Sequence, residues 1–165
     1  MRHKPQGSGI TIDDLTKALD KIHYRLKPGN IVCLQTGADK YWGSRDFSSI
    51  GSGLIRESTL WLVEQGIKVI GTDAWGLDRP FYAIREDFIK TRDKSIIWSA
   101  HYAGIEKEYC QIEKLANLDK LPQPYGFKIA CFPIKIRGAS GGWTRVTAIF
   151  EKDPEVKPKR QARNK

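Results

Sequence analysis

The first pattern along the chain is a set of apolar residues three and four positions apart: Ile12, Leu15, Leu19, Ile22 and Leu26. This spacing predicts an amphipathic helix. Thr11 is a typical N-cap residue, and the Pro28-Gly29 pair stops a helix. A second helix is predicted over residues 54–65, with Gly66 at its C-terminal end.

Short runs rich in β-branched residues predict buried strands between and after these helices. One run covers residues 30–36, and another contains Ile67, Val69 and Ile70. A helix, strand, helix and strand in this order are typical of an α/β layer with adjacent strands. Three further strands are predicted over residues 109–115, 127–136 and 143–150.

The loop that follows the Ile67–Ile70 run contains two carboxylates, Asp73 and Asp78, on either side of Trp75. Acidic and aromatic groups at the carboxyl end of a buried strand are typical of a ligand site in an α/β sheet. The alternative is that Asp73 caps a turn and Trp75 fills the core. The loop by itself leaves both interpretations open.

A chain of 165 residues is long enough for one domain with a substantial core, which we place over residues 1–150. The net charge of +9 raises the question of nucleic-acid binding. Five of the basic residues follow Val156 in a segment without an acidic residue, and no stretch interleaves bases with aromatic residues. We therefore expect residues 151–165 to be a basic disordered tail and expect no specific nucleic-acid partner.

No apolar run approaches the length of a membrane span, and the first residues lack the hydrophobic segment of a signal peptide. The sequence predicts a cytoplasmic protein without a membrane partner.

A candidate chemical group consists of His101, Gln111 and Glu113. The imidazole and the carboxylate can converge if the chain folds back, and Gln111 and Glu113 share one face of the predicted strand. Histidine and carboxylate are ordinary ligands of zinc and manganese, although this spacing alone is a weak signal. Residues 138–142 read G-x-S-x-G, but they are turn material rather than a nucleophile elbow, and the chain has no Walker A, H-E-x-x-H or G-x-G-x-x-G motif.

Three segments, in order, resemble the cyclase family of metal-dependent hydrolases: VIGTDAWGLDRPF, SIIWSAHYAGIEKEYCQIEKLANLDKLP and FKIACFPIKIRGASGGWTRVTAIF. The family includes kynurenine formamidases, and the similarity is closest to the isatin-hydrolase branch. The resemblance covers nearly everything from Arg2 to about Phe150. It implies a swivelling β/β/α fold, a small-molecule substrate, a homo-oligomer and hydrolysis of an amide or lactam C–N bond by a water that manganese or zinc activates.

The resemblance also implies roles for individual residues. His101 matches the family's downstream histidine near the metal centre, and Glu113 matches its downstream carboxylate. Gln111 is the amide that isatin-type enzymes place at the metal, and the choice between Gln111 and Glu113 as the ligand stays open. Asp73, Trp75 and Asp78 match the post-strand loop that shapes the substrate pocket.

One departure from the family changes the expected activity. The family's main metal motif, similar to His-x-x-x-His-x-Asp-x-Pro-x-x-His, does not occur in this sequence. We therefore expect an N-terminally truncated member, the C-terminal two-thirds of the family fold, with no assigned catalytic residue. Substrates of the isatin or N-formylkynurenine type, as in tryptophan catabolism, are expected to be hydrolysed very slowly or not at all by the isolated chain. The alternative is a non-catalytic binding or assembly subunit.

Overall fold

The structure is a computed structural model that describes residues 4–151. The chain divides into two compact units, Met1–Pro122 and Gln123–Lys165. The basic tail predicted over residues 151–165 lies outside the described residues, apart from Glu151.

The first unit is a mixed α/β structure. Its helices and strands are, in chain order, β1 (Gly9–Ile10), α1 (Ile12–Lys21), β2 (Ile31–Leu34), β3 (Gly53–Leu54), α2 (Arg56–Glu64), β4 (Val69–Thr72), α3 (Phe81–Thr91), α4 (Ser99–Glu106) and β5 (Cys110–Ile112). Strands β2, β4 and β5 form a parallel sheet with β4 in the centre, and β1 pairs in parallel with β3. The carboxyl ends of β2, β4 and β5 therefore meet at one edge of the sheet.

The first predicted helix and the first two predicted strands are present. Thr11 begins α1 with a capping box, in which its side chain accepts the backbone N–H of Asp14 and the Asp14 carboxylate accepts the backbone N–H of Thr11. Two bounds were wrong. The first helix ends at Lys21, so Leu26 lies beyond it and Pro28-Gly29 does not end it. The second helix begins at Arg56 rather than at residue 54, because Gly53 and Leu54 pair with β1 as a strand.

The strand predicted over residues 109–115 is shorter than expected. Only Cys110–Ile112 pair with β4, and Lys114 has a φ of 61°, which no strand residue adopts. After Glu113 the regular strand pairing is lost, although Lys114 and Leu115 still donate their backbone N–H groups to the carbonyl oxygens of Ala74 and Thr72.

In the core of the first unit, helices α1 and α2 pack against the central sheet. Its buried members are Leu15, Leu54, Leu62, Ile67, Ile70, Leu77 and Ala100. Leu77 precedes Asp78 and Ala100 precedes His101, and these two core residues are 1% and 0% exposed. Two of the predicted site residues are thus attached directly to rigid, buried backbone.

The second unit contains an antiparallel hairpin of β6 (Lys128–Pro133) and β7 (Thr144–Ile149). These strands confirm the two predicted ones with tighter bounds. Pro133 ends β6, in a two-stranded sheet where every strand is an edge strand, as expected for proline.

None of the helices among residues 4–151 combines the length and the hydropathy that crossing a membrane requires.

Gly53 lies against the backbone that carries Asp78. A Cβ atom at Gly53 would lie 2.0 Å from the carbonyl carbon of Asp78 and 2.2 Å from the backbone nitrogen of Arg79. On the neighbouring residue, the backbone N–H of Leu54 donates to the carbonyl oxygen of Leu77 at 2.8 Å. Only glycine permits this approach, so Gly53 fixes the position of the loop after β4.

We predict that Gly53→Ala lowers the free energy of unfolding by about 3 kcal/mol, the upper part of the range for overpacking, because two backbone segments must separate. Urea denaturation followed by circular dichroism measures this change. Gly141→Ala is the matched control, because its Cβ would have no atom within 4 Å. Equal losses in the two variants would contradict the prediction.

Candidate functional site

Asp73 joins the carboxyl ends of β2 and β4. Its fully buried carboxylate accepts the backbone N–H of Thr36 at 2.8 Å, the hydroxyl of Thr36 at 2.7 Å and the backbone N–H of Gly37 at 2.7 Å. Buried carboxylates require such partners, because desolvation of an unpaired charge is costly. Asp73 thus caps the turn after β2. It holds together the backbone beneath the site and does not line the site itself.

A cleft of about 170 Å³ opens at this edge of the sheet. Its lining includes Trp75, Asp78, Phe81, Trp98, His101 and Glu113. Trp75 is 38% exposed, so the alternative that it fills the core is wrong. Trp75 and Asp78 are therefore both found in the lining, whereas Asp73 is not.

Asp78 holds the beginning of α4 and the imidazole of His101. Its Oδ1 accepts the backbone N–H of Ala100 at 2.7 Å, and its Oδ2 accepts the backbone N–H of His101 at 3.1 Å. The same Oδ2 contacts Nδ1 of the His101 ring. This hydrogen bond raises the pKa of His101 above its ordinary value against the opposing effect of burial, and the charges of Asp78 and Glu113 raise it further.

Glu113 lies on the other side of His101. Its Oε1 accepts the backbone N–H of Leu77 at 3.0 Å and lies 3.7 Å from His101 Nε2, while its Oε2 lies 3.3 Å from Lys114 Nζ. The structure therefore brings His101 and Glu113 together in the cleft, although β5 ends one residue before Glu113.

Gln111 is not among the residues that line the cleft. It pairs with Ile70 in the sheet, and its side-chain Oε1 is buried without a hydrogen-bond partner among the described residues. Gln111 therefore does not line the cleft with His101 and Glu113.

Phe81 and Trp98, which were not predicted from the sequence, form one wall of the cleft together with Trp75. The ring centroids lie 5.3 Å apart for Trp75 and Phe81, 6.0 Å for Phe81 and Trp98, and 5.5 Å for Trp98 and His101. Lys114 Nζ lies 4.8 Å from the ring of Trp75. Only their positions in the sequence could have indicated these two residues. Phe81 follows the proline that ends the loop, and Trp98 immediately precedes the helix of His101.

Tyr109 supports the helix of His101 from the core side. Its hydroxyl donates to the carbonyl oxygen of Ala100 at 2.6 Å. Burial raises the pKa of Tyr109 well above its ordinary value, and the negative charges of Asp78 and Glu113 raise it further. The phenol therefore stays a neutral donor.

The metal expected at this site needs more ligands than the cleft provides. Two ligands of a tetrahedral zinc ion lie about 3.4 Å apart, close to the separation of His101 Nε2 and Glu113 Oε1. Nevertheless, residues 4–151 contain no group of three or more His, Cys, Asp or Glu side chains that could hold an ion. Since a catalytic zinc takes three protein ligands, the described residues do not fit a complete metal site.

Part of the sequence matches a family of known proteins. Residues 1–79 match the family model described as "Putative cyclase". None of the curated proteins matches the sequence.

Solved structures show the same fold at low sequence identity. An isatin hydrolase bound to the product analogue thioisatinate is 22% identical, with a TM-score of 0.70 over 89% of this chain and 55% of that one. Isatin hydrolase A from Labrenzia aggregata, bound to benzyl benzoate, is 19% identical, with a TM-score of 0.68 over 88% of this chain and 56% of that one. A potential metal-dependent hydrolase with cyclase activity is 20% identical, with a TM-score of 0.57 over 90% of this chain and 61% of that one.

The chain thus spans little more than half the length of the isatin hydrolases that it matches. The resemblance inferred from the sequence is confirmed: residues 1–79 match the cyclase family model, and the chain has the mixed α/β fold of the solved cyclase-type structures.

Proposed function

We propose that this chain provides the substrate cleft and two of the metal ligands, His101 and Glu113, of a metal-dependent hydrolase that opens an amide or lactam C–N bond. The observation that carries the proposal is the approach of His101 Nε2 to Glu113 Oε1, 3.7 Å, inside an aromatic cleft. One solved structure of this fold is described as a potential metal-dependent hydrolase, and two others are isatin hydrolases.

The side chains of the cleft have separate tasks under this proposal. The exposed rings of Trp75, Phe81 and Trp98 bind a planar substrate such as isatin or N-formylkynurenine. His101 Nε2 and a Glu113 oxygen face the scissile bond as donors to zinc or manganese. Gln111, which does not line the cleft, has no direct task. No reaction step is assigned to the metal, because the described residues supply an incomplete ligand set.

We predict weak zinc binding that depends on both proposed ligands. In calorimetric titrations of the purified chain with zinc, His101→Ala and Glu113→Gln should each remove the binding isotherm, because each deletes one of two donors. His23→Ala is the matched control, since His23 lies on the surface outside the cleft. Identical binding in the His101→Ala and His23→Ala variants would refute the ligand assignment.

We also predict that the purified chain, supplied with zinc or manganese, does not hydrolyse isatin or N-formylkynurenine at a measurable rate. Two ligands hold an ion too loosely to keep it at the reacting carbonyl. Absorbance assays alongside a complete isatin hydrolase test this expectation. A rate comparable with that enzyme's would show that the chain builds a full metal site.

The second candidate function is that of a non-catalytic binding subunit. It is favoured by one observation: the described residues form an aromatic wall, whereas they do not supply a group of three metal ligands. On this proposal the cleft binds an aromatic compound and releases it unchanged.

We predict that isatin binds to the metal-free chain and that Trp75→Ala weakens this binding about three- to tenfold, the equivalent of one aromatic contact. Calorimetry measures the dissociation constants. Trp42→Ala is the control, because Trp42 is 67% exposed and does not line the cleft. Equal affinity of the Trp75→Ala variant and the unmodified chain would exclude this cleft as the binding site.

A further inference from the structure

Two consecutive residues of the loop after β4 hold both side chains that meet in the cleft. Leu77 donates its backbone N–H to Glu113 Oε1 at 3.0 Å, and Asp78 contacts the His101 ring at Nδ1. Both residues are buried, and Gly53 packs directly against the backbone of Asp78. One rigid segment therefore sets the positions of His101 and Glu113 together.

The contact with Asp78 has a consequence for the hydrogen atom on His101. A carboxylate oxygen accepts hydrogen bonds and does not donate them. The ring nitrogen beside it, Nδ1, must then carry the hydrogen, and in the neutral imidazole the lone pair lies on Nε2. Nε2 is the nitrogen 3.7 Å from Glu113 Oε1.

We propose that Asp78 is a positioning residue, which selects the Nδ1–H tautomer of His101 and so directs the Nε2 lone pair to the centre of the cleft. The use of that lone pair rests on the function proposed above. The tautomer itself requires neither a metal nor a substrate, so it can be measured independently of that function.

Capping of α4 does not by itself explain the arrangement. Oδ1 of Asp78 accepts the N–H of Ala100, and that bond would suffice for a cap. Asp93 shows the simpler case: its carboxylate accepts the backbone N–H and the hydroxyl of Ser95, with no histidine involved. The second oxygen of Asp78 also accepts a backbone N–H, that of His101, but in addition it contacts Nδ1 of the His101 ring, which a cap does not require.

Asp78→Asn separates the two roles. Asparagine is as good an N-cap residue as aspartate, so its oxygen can keep the bond to Ala100. Its amide group then takes the place of Oδ2, which gives up the bond from the backbone N–H of His101, and it offers hydrogens to Nδ1, which favours the Nε2–H tautomer. Hydrogen bonds to charged groups are strong enough to change the tautomer ratio by about tenfold or more.

The experiment is a proton–nitrogen correlation spectrum of the ¹⁵N-labelled full chain, recorded at a pH where the imidazoles are neutral. The chain has three histidines, and His101→Gln identifies the signals of His101 by their loss. We expect Nδ1–H in the unmodified chain and in the Asp93→Asn control, and mainly Nε2–H in Asp78→Asn.

Either of two results overturns the proposal: an Nε2–H tautomer in the unmodified chain, or an unchanged tautomer in a folded Asp78→Asn variant. If circular dichroism shows that Asp78→Asn does not fold, the spectrum of the unmodified chain decides by itself. Absence of zinc binding would count against the proposed function and would leave the tautomer result intact.

Discussion

Parallel pairing of β4 with β2 and β5 is the constraint on which the site depends. It brings the carboxyl ends of three strands to one edge, where polar backbone and side chains of the following loops crowd together. Two buried carboxylates accept hydrogen bonds from the backbone N–H groups of these loops. Asp73 joins the loop after β2 to the loop after β4, and Asp78 joins the loop after β4 to α4.

These carboxylates lie on one polypeptide segment, and their burial explains the rigidity of the cleft. Each accepts at least two backbone N–H groups, so removing either carboxylate would leave buried donors without partners. The close approach of Gly53 prevents the segment from moving back toward β3. The side chains that face the cleft are therefore held in position by backbone that is packed against the core.

Much of this could be predicted from sequence because it depends on local patterns. The periodicity from Ile12 predicted the first helix, and the β-branched runs before Thr36 and Thr72 predicted two strands. The resemblance to the cyclase family predicted the fold. The start of α2 was missed because Leu54 joins a strand through a partner distant in sequence, Ile10. Helical propensity carries no information about such pairing.

The site was only partly predictable for the same reason. The choice between Gln111 and Glu113 could not be made from a strand pattern, since a single residue with positive φ, Lys114, ends the strand and changes which side chains reach the cleft. Asp78 was expected to line the pocket, but its bond to His101 spans 23 residues and needed the fold.

The geometry assigns different physical roles to groups that look alike in the sequence. Asp73, Asp78 and Glu113 are all carboxylates near the same strand ends, yet their surroundings differ. Asp73 is fully buried among two backbone N–H groups and the Thr36 hydroxyl, Asp78 binds both the start of a helix and an imidazole, and Glu113 keeps a partly exposed side chain beside His101. Substitution of Asp73 should therefore act on stability, and substitution of Glu113 on the chemistry of the cleft. Asp78 lies between them, because the same carboxylate serves both purposes.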